Sequence, residues 1–151
     1  MELEALAAKT LGHRSLLDTK HYAALNSSAL YQQNNDLQEV STHELIHMLT
    51  DKMKTESWSV QELALFFHVF LVSGFGNMIR YLSRKTEIDT VVLSGGSVQN
   101  RILTEGFVDF FSNTHLKLYT NVQVPANDGG LALGQAVIGG THVPGNSNAG
   151  E

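Results

Sequence analysis

A Ser-x-x-Glu box opens the most demanding stretch of this 151-residue chain: Ser59-Val60-Gln61-Glu62, followed by Leu63, Phe66, Phe67, Phe70, Leu71, Met78 and Ile79, with more apolar residues between them. Serine at the cap and glutamate three residues on satisfy exposed N–H groups of the first turn, so a helix begins there. A helix that is apolar on most sides is buried on most sides, and the other elements must pack around it. Gly74 and Gly76 mark a bend or a close helix contact within it.

The remaining elements are placed by the same punctuation. A second box, Ser41-Thr42-His43-Glu44, starts a helix that runs to about Lys54 with a stripe of Leu45, Ile46, Leu49 and Met53. Met1 to Leu11 sets Leu3, Leu6 and Leu11 near one helical face, closed by Gly12. That helix starts without a cap, as expected of a segment cut from a longer protein. Tyr22, Ala24 and Leu25, then Asn26-Ser27-Ser28, then Leu30 and Tyr31, suggest two short strands about a turn. The last third changes rhythm. Ile88 to Leu93 is a short β-branched strand, Ser94-Gly95-Gly96 breaks it, and Val98 to Phe111 is an amphipathic helix. Leu116 to Tyr119 is a further strand, Val122 to Asp128 a turn, and Gly130 to Ile138 a helix ending at Gly139-Gly140. Strand, helix, strand, helix predicts α/β architecture over residues 1–143, with 144–151 a small, polar, disordered tail.

Charge and cysteine content remove several functions. Ten Lys plus Arg against 15 Asp plus Glu, a net charge of -5 and no basic cluster leave no footprint for nucleic-acid phosphates or an anionic membrane. With no cysteine the chain carries no disulfide, no thiolate metal site and no cysteine nucleophile. No run reaches the roughly 20 apolar residues of a membrane span, and the opening MELEALAAKT is acidic where a signal peptide is basic. A cytoplasmic protein is expected.

Two loops carry candidate chemistry. In Leu93-Ser94-Gly95-Gly96-Ser97-Val98-Gln99-Asn100, Gly95 and Gly96 lie between a strand and the first turn of a helix, where missing side chains admit a ligand to the backbone. Free N–H groups and the helix dipole favour an anion such as phosphate, and Asn100 can hydrogen-bond a sugar or base; a tight turn without ligand fits the same spacing. In Pro125-Ala126-Asn127-Asp128-Gly129-Gly130-Leu131-Ala132-Leu133-Gly134-Gln135, the Asp128 carboxylate can hold a metal ion or orient a nucleotide, with Gly129 and Gly130 leaving room. The plainer alternative is that Asn127 or Asp128 caps the helix. Ala132, Gly134 and Ala136 would let that helix pack closely.

His43-Glu44-Leu45-Ile46-His47 matches the H-E-x-x-H helix of zinc peptidases, with both histidines on one face. Glu44 is already the partner of Ser41, and Thr50 and Met53 stand where the extended pattern needs glycine and a third histidine. His68, inside the apolar helix, reads as a core histidine with a hydrogen-bond partner, and Trp58 as a packing residue.

Taken together, Val91-Val92-Leu93-Ser94-Gly95-Gly96-Ser97-Val98-Gln99-Asn100-Arg101 and Pro125 to Ala136 closely resemble the C-terminal end of HypF-type carbamoyltransferases of NiFe-hydrogenase maturation. Met1-Glu2-Leu3-Glu4-Ala5-Leu6-Ala7 and Phe67-His68 are also similar to that family, whereas 13–54 matches loosely and Ser97-Val98 stands where the family usually has Val-Phe. The resemblance implies the second lobe of an actin-like, sugar-kinase-like (RNase H-like) ATPase module, with a mixed sheet and packed helices, shared with tRNA threonylcarbamoyl transferases. It implies that carbamoyl phosphate and ATP give a carbamoyl-adenylate, whose carbamoyl group passes to the C-terminal cysteine of a HypE-like acceptor. By position, Gly95, Gly96 and Gly129 would line the nucleotide site, Asn100 would contact the adenosine portion, and Asp128 would complete a site for a divalent ion, be it Mg, Fe or Zn. The family's paired metal-binding histidines belong to an earlier segment, and its zinc-binding and adenylate-forming regions lie elsewhere in the full-length protein. Alone, this segment is expected to be inactive. A threonylcarbamoyl transferase, an architectural lobe without ligand and a zinc peptidase using His43, Glu44 and His47 are the alternatives.

Overall fold

The long helix α4, Val60–Thr86, is the axis on which the other elements are mounted. Ser59 accepts the Glu62 N–H at 3.2 Å while the Glu62 carboxylate accepts the Ser59 N–H at 3.0 Å, the reciprocal cap anticipated above. Leu65, Phe66, His68, Val69, Phe70 and Val72 of α4 are fully buried. The computed structural model describes residues 2–23, 25, 31–34, 37–55 and 57–141.

Two clusters surround that axis. Helix α1, Glu2–Leu11, contributes Ala7 and Leu11 to the main one, and α5, Arg101–Ser112, contributes Ile102, Phe110 and Phe111. Leu16, from a 3-10 turn over Leu16–Asp18, fills the space between them, and Ser15 ties this turn to α5 through Asp109 at 2.6 Å. On the other side, α3, Thr42–Thr55, buries Leu45 against Phe70. Met48 and Leu49 pack beside that pair, while Ile46 and Met53 of the anticipated stripe stay exposed, so α3 uses a face rotated from the one read in the sequence. Trp58 packs edge-on against Phe66 at 5.6 Å, as a packing residue should.

Tyr22 does not start a strand. Residues Lys20–Ala23 form a one-turn helix, α2, because Thr19 turns the chain: its hydroxyl donates to the Leu16 carbonyl at 2.8 Å and accepts the Tyr22 N–H at 3.3 Å. The strand expected around Tyr31 exists as β1, Tyr31–Asn34, paired antiparallel with β2, Leu37–Val40, from Tyr31↔Val40 to Asn34↔Leu37. The turn expected at Asn26–Ser28 and the tail at 144–151 lie outside the described residues.

The second strand pair is parallel: β3, Thr90–Leu93, beside β4, Lys117–Thr120, in register from Thr90↔Lys117 to Leu93↔Thr120. Parallel neighbours require a crossover, and α5 provides it. The α/β expectation is met, with the strands in two separate pairs, one antiparallel and one parallel. Helix α6, Gly129–Thr141, follows β4; residues 131–140 are all exposed, so the close packing expected of Ala132, Gly134 and Ala136 is absent among the described residues.

By length and composition α4 passes for a membrane span, contrary to the sequence estimate, with an 18-residue window of mean hydropathy 1.5. Of that window, 56% is buried inside the protein, which accounts for its apolarity.

Gly76 marks the close helix contact. A Cβ there would stand 2.5 to 2.8 Å from the Phe110 ring, which is itself wedged edge-on against Phe111. In an open helix Gly→Ala stabilises by about 1 kcal/mol; here the ring would have to move, an overpacking cost of about 1–3 kcal/mol. Gly76→Ala is therefore expected to lower the urea midpoint of unfolding. A raised midpoint would contradict this packing.

Candidate functional site

The chain leaves β3 at Leu93 and turns through Ser94-Gly95-Gly96. Gly95 has φ +99° and ψ 168°, a conformation open to glycine and strained for any L side chain. A Cβ at Gly95 or Gly96 would meet nothing within 4 Å, so both face open space. A 3-10 turn over Gly96–Gln99 follows, closed by Val98 N–H to the Gly95 carbonyl at 3.1 Å and braced by the Thr104 hydroxyl on the Val98 carbonyl at 2.7 Å.

Helix α5 therefore begins at Arg101 rather than at Val98, and Asn100 is its cap. Asn100 Oδ1 accepts the Leu103 N–H at 3.1 Å, and Glu4 of α1 accepts the Arg101 N–H at 2.8 Å. Two of the donors at this helix end are thus taken by the protein's own groups. Upstream, the N–H groups of Gly95, Gly96 and Ser97 donate no hydrogen bond among the described residues.

Asn100 is also the partner of His68. The His68 ring is fully buried, its Nδ1 is 2.7 Å from the Ala64 carbonyl, and its Nε2 is 2.8 Å from Asn100 Nδ2. A carbonyl only accepts, so Nδ1 carries the proton and Nε2 is the lone-pair side of a neutral imidazole. Burial pushes the His68 pKa below its usual value, against smaller opposing contributions from the Ala64 carbonyl and Glu4. The core-histidine reading holds, and its partner is a candidate site residue.

The second loop leaves β4 at Thr120 and reaches α6 through Pro125-Ala126-Asn127-Asp128. Asn127, not Asp128, is the capping residue: its Oδ1 accepts the Gly129 N–H at 3.0 Å, and its carbonyl accepts the Gly130 N–H at 2.9 Å. Gly130 is required locally, since a Cβ there would lie 2.7 Å from the Pro125 carbonyl oxygen. Asp128 is exposed, and no hydrogen bond or ion pair to its carboxylate occurs among the described residues.

Topology brings the two loops together. Leu93 and Thr120 are paired residues at the carboxyl ends of adjacent parallel strands, so both loops emerge from the same end of the pair. That end is where open α/β sheets hold their ligands. His43 and His47 are elsewhere, exposed on α3 with ring centroids 6.5 Å apart, and no group of three His, Cys, Asp or Glu able to hold a metal occurs among the described residues. The sequence missed His21, which is buried edge-on to Trp58 at 4.8 Å with neither ring nitrogen hydrogen-bonded among the described residues. Its pKa is lowered, first by burial and then by Lys20. Nothing in the spacing around His21 marks it.

Fold and loops define an α/β lobe with two glycine-bearing turns at one end of a parallel strand pair. Residues 1–135 match the family model described as carbamoyltransferase, Kae1-like domain, second subdomain. The chain belongs to that family, as a segment of the HypF type. It is 28% identical over 98 residues to a probable carbamoyltransferase HypF of Methanocaldococcus jannaschii, covering 65% of this chain and 13% of that protein. It is 37% identical over 71 residues to the carbamoyltransferase HypF of Rhodobacter capsulatus, covering 47% and 9%. The chain thus spans a small part of these relatives. Among solved structures it is similar to full-length HypF in a phosphate- and nucleotide-bound form, with TM-score 0.68 and 29% identity over 96% of this chain and 17% of that one. HypF of T. kodakarensis shares the fold, with TM-score 0.63 and 21% identity over 92% and 16%.

The buried imidazole sets a pH dependence. With its folded pKa lowered, His68 stays neutral in the native state while the unfolded chain binds a proton below about pH 6.5. The stability it contributes is complete above that value and is lost as pH falls. Urea midpoints at pH 7.5 and pH 5.5 should therefore differ less in His68→Gln than in the wild type; equal differences would contradict a neutral buried His68.

Proposed function

We propose that this chain supplies one wall of the nucleotide site of a HypF-type carbamoyltransferase, at the carboxyl end of β3 and β4. The observation that carries the proposal is the shared exit of the two loops, one with N–H groups at Gly95, Gly96 and Ser97 and the other with the Asp128 carboxylate beside Gly129, all without a hydrogen-bond partner among the described residues. Backbone N–H groups in a concave turn bind phosphate oxygens, and the missing side chains at Gly95 and Gly96 let the phosphates approach. Asn100, half-buried at the end of the same turn, donates to the adenosine portion.

A single carboxylate does not make an all-protein metal cage. It does suit an ion such as Mg that takes one or two carboxylates and completes its shell with phosphate oxygens and water. Asp128 would hold that ion against the phosphates, where it offsets their charge. The chain's own residues then bind and orient: the glycines fix the phosphate chain, Asn100 the nucleoside, and Asp128 the counter-ion.

In this reading the full-length protein hydrolyses carbamoyl phosphate to carbamate and phosphate, and carbamate attacks the α-phosphorus of ATP to give carbamoyl-adenylate and pyrophosphate. The C-terminal cysteine thiolate of a HypE-like acceptor then takes the carbamoyl group and AMP leaves, in the cytoplasm, during hydrogenase maturation. A nucleophile contributed by the acceptor agrees with a chain that has no cysteine. Membership of a carbamoyltransferase family favours carbamoyl over threonylcarbamoyl transfer.

Asn100→Ala and Asp128→Ala, each in the full-length protein, are expected to lower carbamoyl transfer to the acceptor by roughly tenfold or more, the weight of one well-placed polar contact. Wild-type rates in both variants would overturn the site and leave this chain an architectural lobe.

A further inference from the structure

We infer that His68 is a positioning residue for the nucleotide site, holding the Asn100 carboxamide in the one orientation that presents a free amide hydrogen to the ligand. The inference rests on the nucleotide reading of Asn100 above. Its basis is a chain of three hydrogen bonds that fixes every donor and acceptor in turn. The Ala64 carbonyl, 2.7 Å from Nδ1, requires the ring proton there and leaves Nε2 as an acceptor. Nε2, 2.8 Å from the carboxamide nitrogen, accepts one of its two hydrogens. The carboxamide oxygen then faces the Leu103 N–H at 3.1 Å and caps α5.

Turning the carboxamide over would set oxygen against a lone pair at one end and two donors against each other at the other. The two bonds therefore reinforce one orientation. His68 itself is fully buried and cannot touch a nucleotide, whereas Asn100 is half-buried at the end of the glycine turn. One Nδ2 hydrogen goes to His68, and the second is uncommitted among the described hydrogen bonds. It suits an acceptor such as a ribose hydroxyl or a ring nitrogen of a nucleoside. The residue before α5 thus links a core helix to the ligand-facing turn, and the preorganisation comes from α4.

Binding of Mg-ATP to the full-length protein tests this with His68→Leu, His68→Met, His68→Gln, Asn100→Ala and the double variant His68→Leu with Asn100→Ala. Leucine and methionine fill space without an acceptor; glutamine keeps one. Loss of the ring is expected to weaken Mg-ATP binding roughly tenfold, about the net worth of one hydrogen bond. His68→Gln should recover most of that loss, a rescue that filling space alone does not give. In the Asn100→Ala background His68→Leu should add nothing. Wild-type affinity in His68→Leu and His68→Met together with weakened binding in Asn100→Ala would overturn the inference while leaving Asn100 in the site. An additional loss in the double variant equal to that of His68→Leu alone would overturn it too. Wild-type affinity in Asn100→Ala would overturn the assignment of Asn100 to the nucleotide, and the inference with it.

Discussion

The burial of the middle of α4, from Ala64 to Gly76, is the constraint from which the rest follows. Fixing Phe66, Val69, Phe70 and Val72 in the interior demands partners in several directions, and α1, α3 and α5 are laid against the axis to supply them. Once α5 is held there through Ile102, Phe110 and Phe111, β3 and β4 at its two ends have little choice but to run side by side and parallel. The glycine turn and the acidic turn then share one end of the strand pair. That shared exit follows from the core packing that places β3 beside β4.

The same axis carries a polar thread. A fully buried histidine in an apolar helix costs stability unless both ring nitrogens are used. His68 uses one on its own helix and the other on Asn100, so the core is tied to the first residue of the α5 cap. Glu4 reaches the same helix end from α1. Two elements far apart in sequence, α1 and α4, therefore converge on the start of α5, where Glu4 takes the Arg101 N–H and Asn100, held by His68, takes that of Leu103.

Much of this was legible because it is written in local signals. Both serine caps and the β-branched run of Thr90–Leu93 are short-range patterns with one physical reading each, and the glycine break after β3 marks a chain turn whatever its ligand. The order strand, helix, strand, helix then gave the α/β class, and the parallel pairing of β3 with β4 came from the structure. What was not legible depends on partners distant in sequence. Residues 20–23 lacked any helical pattern and became helical through the Thr19 turn. The start of α5 slipped by three residues because the 3-10 turn and Asn100 compete with an α-helix for the same stretch. His21 is buried by Trp58, 37 positions later in the numbering, and no spacing rule connects them.

Helix α6 shows where sequence and packing part company. Leu131, Leu133, Val137 and Ile138 are apolar yet 50% to 67% exposed, and Ala132, Gly134 and Ala136 offer a smooth surface that α4 and α5 do not use. Val92 and Tyr119, on the outer face of the parallel pair, are likewise 66% and 54% exposed. The elements of the main cluster bury most of their large apolar side chains wholly or in part, although Leu3, Phe75, Leu82 and Val108 stay exposed; α6 buries none of Leu131, Leu133, Val137 and Ile138. Asp128 sits at the start of this helix with its carboxylate unpaired among the described residues, while Asn127 accepts the Gly129 N–H. With Asn127 taking the Gly129 N–H, the cap of α6 does not draw on the Asp128 carboxylate among the described hydrogen bonds.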